Sequence, residues 1–213
     1  MSFFLDKGLY RCAAFEQFTW QKHAFGTRLA NPTAITLRQI HSDRVMNARG
    51  LGDREGQGDA LVAQNLFDAI GVRTADCVPL LVLDPQRHAV AAVHAGWRGS
   101  ASAIIVRTLE KMAADFGTDP TAAHVAIGPC IRVCCYEVGE EVARQFGLAP
   151  SGKVHLDLPE INRRHLLSAG VEAAHIFDSG LCTRCNADLF FSFRRDPQDP
   201  GRMLNAIASY DSD

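Results

Sequence analysis

The stretch "TADCVPLLVLDPQRHAVAAVHAGWRG", residues 74–99, decides how the chain is read. Two apolar runs, VPLLVLD and HAVAAVHA, flank a short DPQR segment. Asp-Pro followed by polar residues favours a tight turn, and runs this continuously apolar fit strands covered on both faces. The stretch therefore reads as a buried β-hairpin. In a hairpin the start of the first strand lies beside the end of the second. Cys77, which opens the first run, and His94, near the end of the other, are expected together at one edge of a sheet.

Downstream, "AGWRGSASAI" is a glycine-rich strand-to-helix turn carrying Arg98. Backbone N–H groups at a helix start, with a guanidinium beside them, favour an anion. Gly96 and Gly99 fit a plain tight bend equally well. The period then changes: SASAIIVRTLEKMAADFG spaces its apolar residues as a helix does, with Ser100 as N-cap and Gly117 as stop. AAHVAIGP reads as a strand, YEVGEEVARQFG as a second helix, VHLDL as a short extended piece and PEINRRHLLSAGV as a third helix, with Pro159 near its first turn. AAHIFDSG, DLFFSFRRD and RMLNAIASY are expected as closing strands.

Upstream, AITLRQIH, RVMNA and DALVAQ are short β-like runs, and LGDREGQGDA is a polar loop. An aromatic entry segment with Phe15, Phe18, Trp20 and Phe25 precedes them. Hairpins mixed with crossover helices predict an α/β or α+β fold with mixed sheets. With no repeat and no low-complexity linker, the expectation is one domain over residues 1–213.

A chain of 213 residues, 47% apolar, can bury a full core. A net charge of −2 argues against a dedicated nucleic-acid binder. No apolar run is long enough to span a bilayer, and MSFFLDKGLYRC lacks a signal peptide's apolar core, so a cytoplasmic location is expected. In that compartment seven cysteines read as free thiols or metal ligands, not as a disulfide framework.

His41, in RQIHSDRV, is a third candidate beside Cys77 and His94. A thiolate and two neutral imidazoles suit a tetrahedral zinc ion with one position left open. Such an ion lowers the pKa of a water or polarises a substrate oxygen. Spacing alone leaves two alternatives. Cys77 and His94 equally fit a nucleophile with its base, and His41 equally fits a hydrogen-bonded core histidine. Cys130, Cys134 and Cys135 in GPCIRVCCYEV read as structural, because neighbours on a strand point to opposite sides. Cys182 and Cys185 in LCTRC form a lone CxxC without a second pair at zinc-finger spacing. Arg194 and Arg195 read first as holding a loop through carboxylates and, as the alternative, as facing an anionic substrate.

HAFGTR, RQIHSDRV, GDALVAQ, TADCVPLLVLD, HAGWRGSA, IGPCIRVCCYEVGEEV, GLCT and FFSFRRD…GR, taken in order over nearly the whole chain, resemble the laccase-domain family. That family was once called multicopper polyphenol oxidases and is now classed with purine nucleoside phosphorylases that also deaminate adenosine and cleave methylthioadenosine. The resemblance implies a four-layer α/β/β/α sandwich, similar to certain cysteine-dependent toxin domains. It implies zinc held by His41, Cys77 and His94, with Arg28 and Arg98 as substrate or phosphate contacts. Ser42, after His41 where the family often has glycine or alanine, is carried as a further substrate contact.

Three chemistries follow as expectations. The first is a zinc-dependent purine nucleoside phosphorylase acting on adenosine, inosine, guanosine or methylthioadenosine with phosphate, with adenosine deaminase activity. Its catalytic candidates are Cys77, Asp76 as acid–base group and Arg98. The second is a copper-dependent phenol oxidase, which a His₂Cys set also suits. The chain has eight histidines and no H-x-H pair for the further copper cluster that such an oxidase needs. The third is a metal-free Cys-His hydrolase. A structural, closed metal site would require a fourth ligand such as Cys130 or Cys182. The protein is expected as a monomer or a small homo-oligomer.

Overall fold

The structure, a computed structural model, describes residues 3–149, 151–198 and 201–210. Residues 1 and 2 of the entry segment, and residues 199 and 200 within FFSFRRDPQDPGR, lie outside the described residues. In chain order the elements are β1 (Phe3–Asp6), β2 (Leu9–Cys12), β3 (Gln21–Phe25), β4 (Val45–Asn47), β5 (Ala60–Gln64), β6 (Leu66–Thr74), β7 (Val78–Asp84), β8 (Ala89–Ala95), α1 (Trp97–Ala101), α2 (Ile104–Phe116), β9 (His124–Ile127), β10 (Glu137–Val138), α3 (Glu140–Arg144), β11 (Val154–His155), α4 (Leu158–Ser168), β12 (Ile176–Asp178) and β13 (Met203–Ser209).

The hairpin forms as expected. β7 and β8 pair antiparallel from Val78↔Ala95 to Asp84↔Ala89. Asp84 closes the turn, its Oδ1 accepting from the backbone N–H of Gln86 at 2.8 Å and of Arg87 at 3.2 Å. Every residue of both strands is buried, because each face meets a different layer. Val78, Leu80 and Val82 pack with Ile104, Ile105, Leu109 and Met112 of α2 and with Leu158 and Leu166 of α4. Leu81 and Leu83 face the other way, toward Phe15, Phe25, Ile70 and Ile207. Side chains alternate across a strand, so a continuous apolar run is what a twice-covered strand requires.

Two sheets stack. A six-stranded mixed sheet runs β12-β9-β7-β8-β5-β4, with the β12–β9 and β4–β5 pairs parallel. A five-stranded antiparallel sheet runs β1-β2-β3-β13-β6. β10 and β11 form a small separate ribbon with α3 beside it. The expected mixed α/β sandwich is present. Of its helices, α2 and α4 lie on the six-stranded sheet. On the outer side of the five-stranded sheet, loop residue Ala34 lies against Gly71, where an added Cβ would come within 2.9 Å of the Ala34 Cβ. Among the described residues no helix is long and apolar enough to cross a membrane.

Several local expectations change. The first helix begins at Trp97, with Gly96 and not Ser100 as its N-cap, and it breaks at Ala103, whose φ of 52° is left-handed. Gly117 does end α2, with φ 74°. Pro159 does sit in the first turn of α4, where Asp157 accepts the Glu160 N–H. YEVGEEVARQFG gives a short strand and a five-residue helix. AITLRQIH makes only isolated bridges, Ile35 to Ile70 and Arg38 to Gln57. DLFFSFRRD forms turns, not a strand. Its Ser192 hydroxyl and Arg194 N–H are committed to Asp76, which takes them out of any ladder.

Candidate functional site

Val78 pairs with Ala95, so Cys77 meets the far end of the hairpin, where His94 lies. His41 joins them, and one ligand atom from each of Cys77, His41 and His94 lies within 4.8 Å of the others. The two imidazoles stand edge to face, their centroids 4.9 Å apart. Neither Cys130 nor Cys182 belongs to this group.

His41 has φ 56°, a left-handed backbone that needs support in a residue other than glycine. Asp59 supplies it. Asp59 accepts from the backbone N–H groups of Ile40, His41 and Ser42 at 3.3, 3.0 and 2.6 Å and from the Ser42 hydroxyl at 2.7 Å. The same carboxylate lies 2.8 Å from His94 Nδ1, which leaves Nε2 for the cluster. Asp59 stands just ahead of β5 and its carbonyl takes the His94 N–H, so β5–β8 pairing sets this geometry. Sequence reading missed Asp59. The local signal was an aspartate between GQG and an apolar strand, and its burial is seen only in the structure.

The electrostatics favour a thiolate. Burial by itself would raise the Cys77 thiol, but His94 and His41, by charge and hydrogen bonding, bring it down to about 6. Burial would lower His94, yet the neighbouring Cys77 and Asp59 lift it to about 9. Burial likewise opposes the charge on Asp59, and its His94 and Ser42 hydrogen bonds hold it down to about 2.

The donor set and the space around it fit a metal ion. An added Cβ at Gly96 would stand 3.2 Å from Cys77 Sγ, 3.3 Å from His41 Cδ2 and 3.8 Å from His94 Cε1. The chain therefore keeps the volume in front of the three donors free of side chain. These donors border a pocket of about 770 Å³. Its wall includes Trp97, Tyr136 and Phe193 among aromatics and Arg54, Arg73, Arg98, Arg194 and Arg202 among cations.

The other candidate residues separate in the structure. Arg98 lines the pocket, with its guanidinium over the Trp97 ring. Arg28 lies outside that lining, its guanidinium 4.6 Å from the Phe191 ring centroid. Ser42 is also outside the lining, its hydroxyl donated to Asp59. Asp76, with φ 88°, borders the pocket, but both its oxygens are occupied: Oδ1 by the Thr183 hydroxyl at 2.6 Å, Oδ2 by the Ser192 hydroxyl at 3.1 Å and the Arg194 N–H at 2.7 Å. Arg194 therefore holds its loop to a carboxylate through its backbone, while its guanidinium donates to the Glu137 carbonyl. Arg73, not singled out in the sequence, lines the pocket and has a buried Nε with no acceptor among the described residues.

Known proteins resemble this chain throughout. The sequence model of a family described as "Multi-copper polyphenol oxidoreductase laccase" matches residues 17–209. A purine nucleoside phosphorylase of Deinococcus radiodurans is 42% identical over 179 residues, which is 80% of this chain and 68% of that protein. A protein named adenosine deaminase RL5, from an unknown prokaryotic organism, is 39% identical over 194 residues, 81% of this chain and 74% of its own length. The crystal structure of YlmD from Geobacillus stearothermophilus superposes with a TM-score of 0.88 at 27% identity, covering 99% of each chain.

Proposed function

The chain belongs to the multicopper polyphenol oxidoreductase laccase family, and from that starting point we propose that it is a zinc-dependent purine nucleoside phosphorylase with adenosine deaminase activity. Adenosine, inosine, guanosine and methylthioadenosine are the substrate set. The observation that carries the reading is the meeting of His41, Cys77 and His94 at the wall of a pocket of about 770 Å³ rich in arginine and aromatic side chains.

In this reading Cys77 binds as a thiolate and both histidines as neutral imidazoles, with Asp59 fixing the His94 tautomer. These three residues would hold a zinc ion, which would supply Lewis-acid polarisation of a substrate oxygen. Trp97, Tyr136 and Phe193 offer faces to a purine, and Arg98 and Arg73 offer N–H donors to phosphate. In phosphorolysis a phosphate oxygen bonds to C1′ of the ribose as the bond from C1′ to the base nitrogen breaks. Arg98 and Arg73 hold that phosphate in line. In deamination water adds at C6 of adenine and ammonia departs. Asp76 serves here as a positioning residue and not as the proton shuttle, because its oxygens already accept from Thr183, Ser192 and Arg194.

Product analysis of adenosine turnover tests the proposal. With phosphate, ribose 1-phosphate and adenine are expected; without it, inosine. A protein loaded with zinc that yields neither product rules the reading out.

Asp59, His94 and Cys77 also line up as an orienting carboxylate, an imidazolium and a thiolate. That relay supports a second reading, a metal-free thiol hydrolase. It requires activity that survives a strong chelator and is abolished by a thiol alkylator. Copper in place of zinc suits the same donors and the family's older name. Among the described residues the other grouping of potential ligands is made of cysteines alone, so no second histidine cluster accompanies it.

A further inference from the structure

Four cysteines that the sequence scatters over fifty residues meet in space. One ligand atom from each of Cys134, Cys135, Cys182 and Cys185 lies within 4.8 Å of all the others. The sulfurs of Cys135 and Cys185 are 3.4 Å apart, those of Cys134 and Cys135 3.7 Å, and those of Cys134 and Cys185 3.9 Å. A disulfide needs about 2.05 Å. Four thiolates bonded at about 2.3 Å to a tetrahedral zinc ion would stand about 3.8 Å apart, as the edge of that tetrahedron requires. The observed separations match the tetrahedron and not the covalent bond.

The alternation argument that set Cys134 and Cys135 on opposite sides fails because they do not lie on a strand. They sit in a turn closed by the N–H groups of Cys135 and Tyr136 on the Arg132 carbonyl, at 2.8 and 2.9 Å. The CxxC forms the facing turn, in which the Asn186 N–H reaches the Cys182 carbonyl at 3.1 Å. A parallel bridge between Cys130 and Cys182 joins the two turns. Arg195 donates to the carbonyls of Thr183 and Arg184, which places its positive charge beside the turn that carries Cys182 and Cys185.

We propose that Cys134, Cys135, Cys182 and Cys185 form a second metal site, a four-thiolate structural site for zinc, distinct from the His41–Cys77–His94 cluster. Four protein ligands close the coordination sphere, so the site stabilises structure and performs no chemistry. What it fastens is the pocket. One turn runs directly into Tyr136 and Glu137 of the pocket wall, and the other holds Thr183, which donates to Asp76 beside Cys77. Removing the ion frees both turns.

Metal analysis of the whole protein, purified under reducing conditions, tests this. The wild-type chain should carry two zinc ions, and C185S and C77S one each. Cobalt loaded into C77S should give the intense sulfur-to-metal absorption of a four-thiolate centre, and C185S should lack it. In the wild-type protein the exposed thiols of Cys134 and Cys185 should resist iodoacetamide until a chelator is added, a readout that survives if a variant fails to fold. Metal-free C77S, prompt alkylation of Cys134 and Cys185 without chelator, or a Cys135–Cys185 disulfide in freshly isolated protein would each overturn the proposal. None of these outcomes depends on which reaction the pocket catalyses.

Discussion

His94 Nδ1 lies 2.8 Å from Asp59 Oδ1, and both side chains are almost sealed from solvent. One carboxylate thus orients one imidazole and, through the His41 and Ser42 N–H groups, positions the other. Substituting Asp59→Asn keeps the shape but removes the charge and turns an amide donor toward those N–H groups. Partners behind a ligand histidine are typically worth about 10–100-fold in metal affinity. A loss in that range is expected in a zinc competition titration with a chromogenic chelator. Unchanged affinity would mean that Asp59 serves folding alone.

Gly96 has φ −69°, which alanine adopts without strain. Gly96→Ala is therefore expected to fold and melt close to wild type. Its Cβ would crowd Cys77 Sγ at 3.2 Å and His41 Cδ2 at 3.3 Å. Metal occupancy and turnover should fall severalfold while thermal stability holds. A variant that loses stability but binds metal normally contradicts the assignment of that space to an ion.

Arg73 and Arg98 are assigned to phosphate. A hydrogen bond to a charged group contributes about 1.5–3 kcal/mol, or roughly ten- to a hundredfold. Arg73→Gln and Arg98→Gln should each lower kcat/KM for phosphate by about that factor, with little change in phosphate-free deamination of adenosine. Equal losses in both reactions would point to general disruption of the pocket.

His23 provides a pH test away from the site. It is buried against Phe15, its Nε2 accepts the Cys12 N–H at 2.8 Å, and its Nδ1 lies 3.1 Å from Gln21 Oε1. Burial first, then the Arg11 charge, lowers its pKa from 6.5 to about 3. Between those values the unfolded chain holds a proton that the folded chain refuses. Stability is therefore whole above pH 6.5 and declines by about 1.4 kcal/mol per pH unit as pH falls toward 3. His23→Gln removes this component, so urea unfolding at pH 7 and at a mildly acid pH should give a shallower decline than wild type. Parallel declines would refute the buried-neutral assignment.

The parts of the fold that sequence reading missed have local physical reasons. β6 escaped notice because Gly71 stands where an outward side chain would have completed the strand pattern, and only glycine clears Ala34 and the Asn205 carbonyl there. The break between α1 and α2 rests on the left-handed backbone of Ala103, a residue that ordinarily favours helix. Arg28, which the family motif gives as a substrate or phosphate contact, has its guanidinium 4.6 Å from the Phe191 ring centroid.

What the sequence by itself determined is the hairpin and what the hairpin carries. A tight turn at Asp84-Pro85 and two apolar runs, paired as strands of seven residues each, leave one register, and that register puts Cys77 beside His94. Local chemistry suffices because the two residues are joined by a single turn. Only the tertiary structure decided the rest. Asp59 reaches His94 by strand pairing between β5 and β8, and the four cysteines meet because two turns fifty residues apart are held by one bridge. Long-range pairing of this kind is set by core packing and sheet order, and no periodicity along the chain records it.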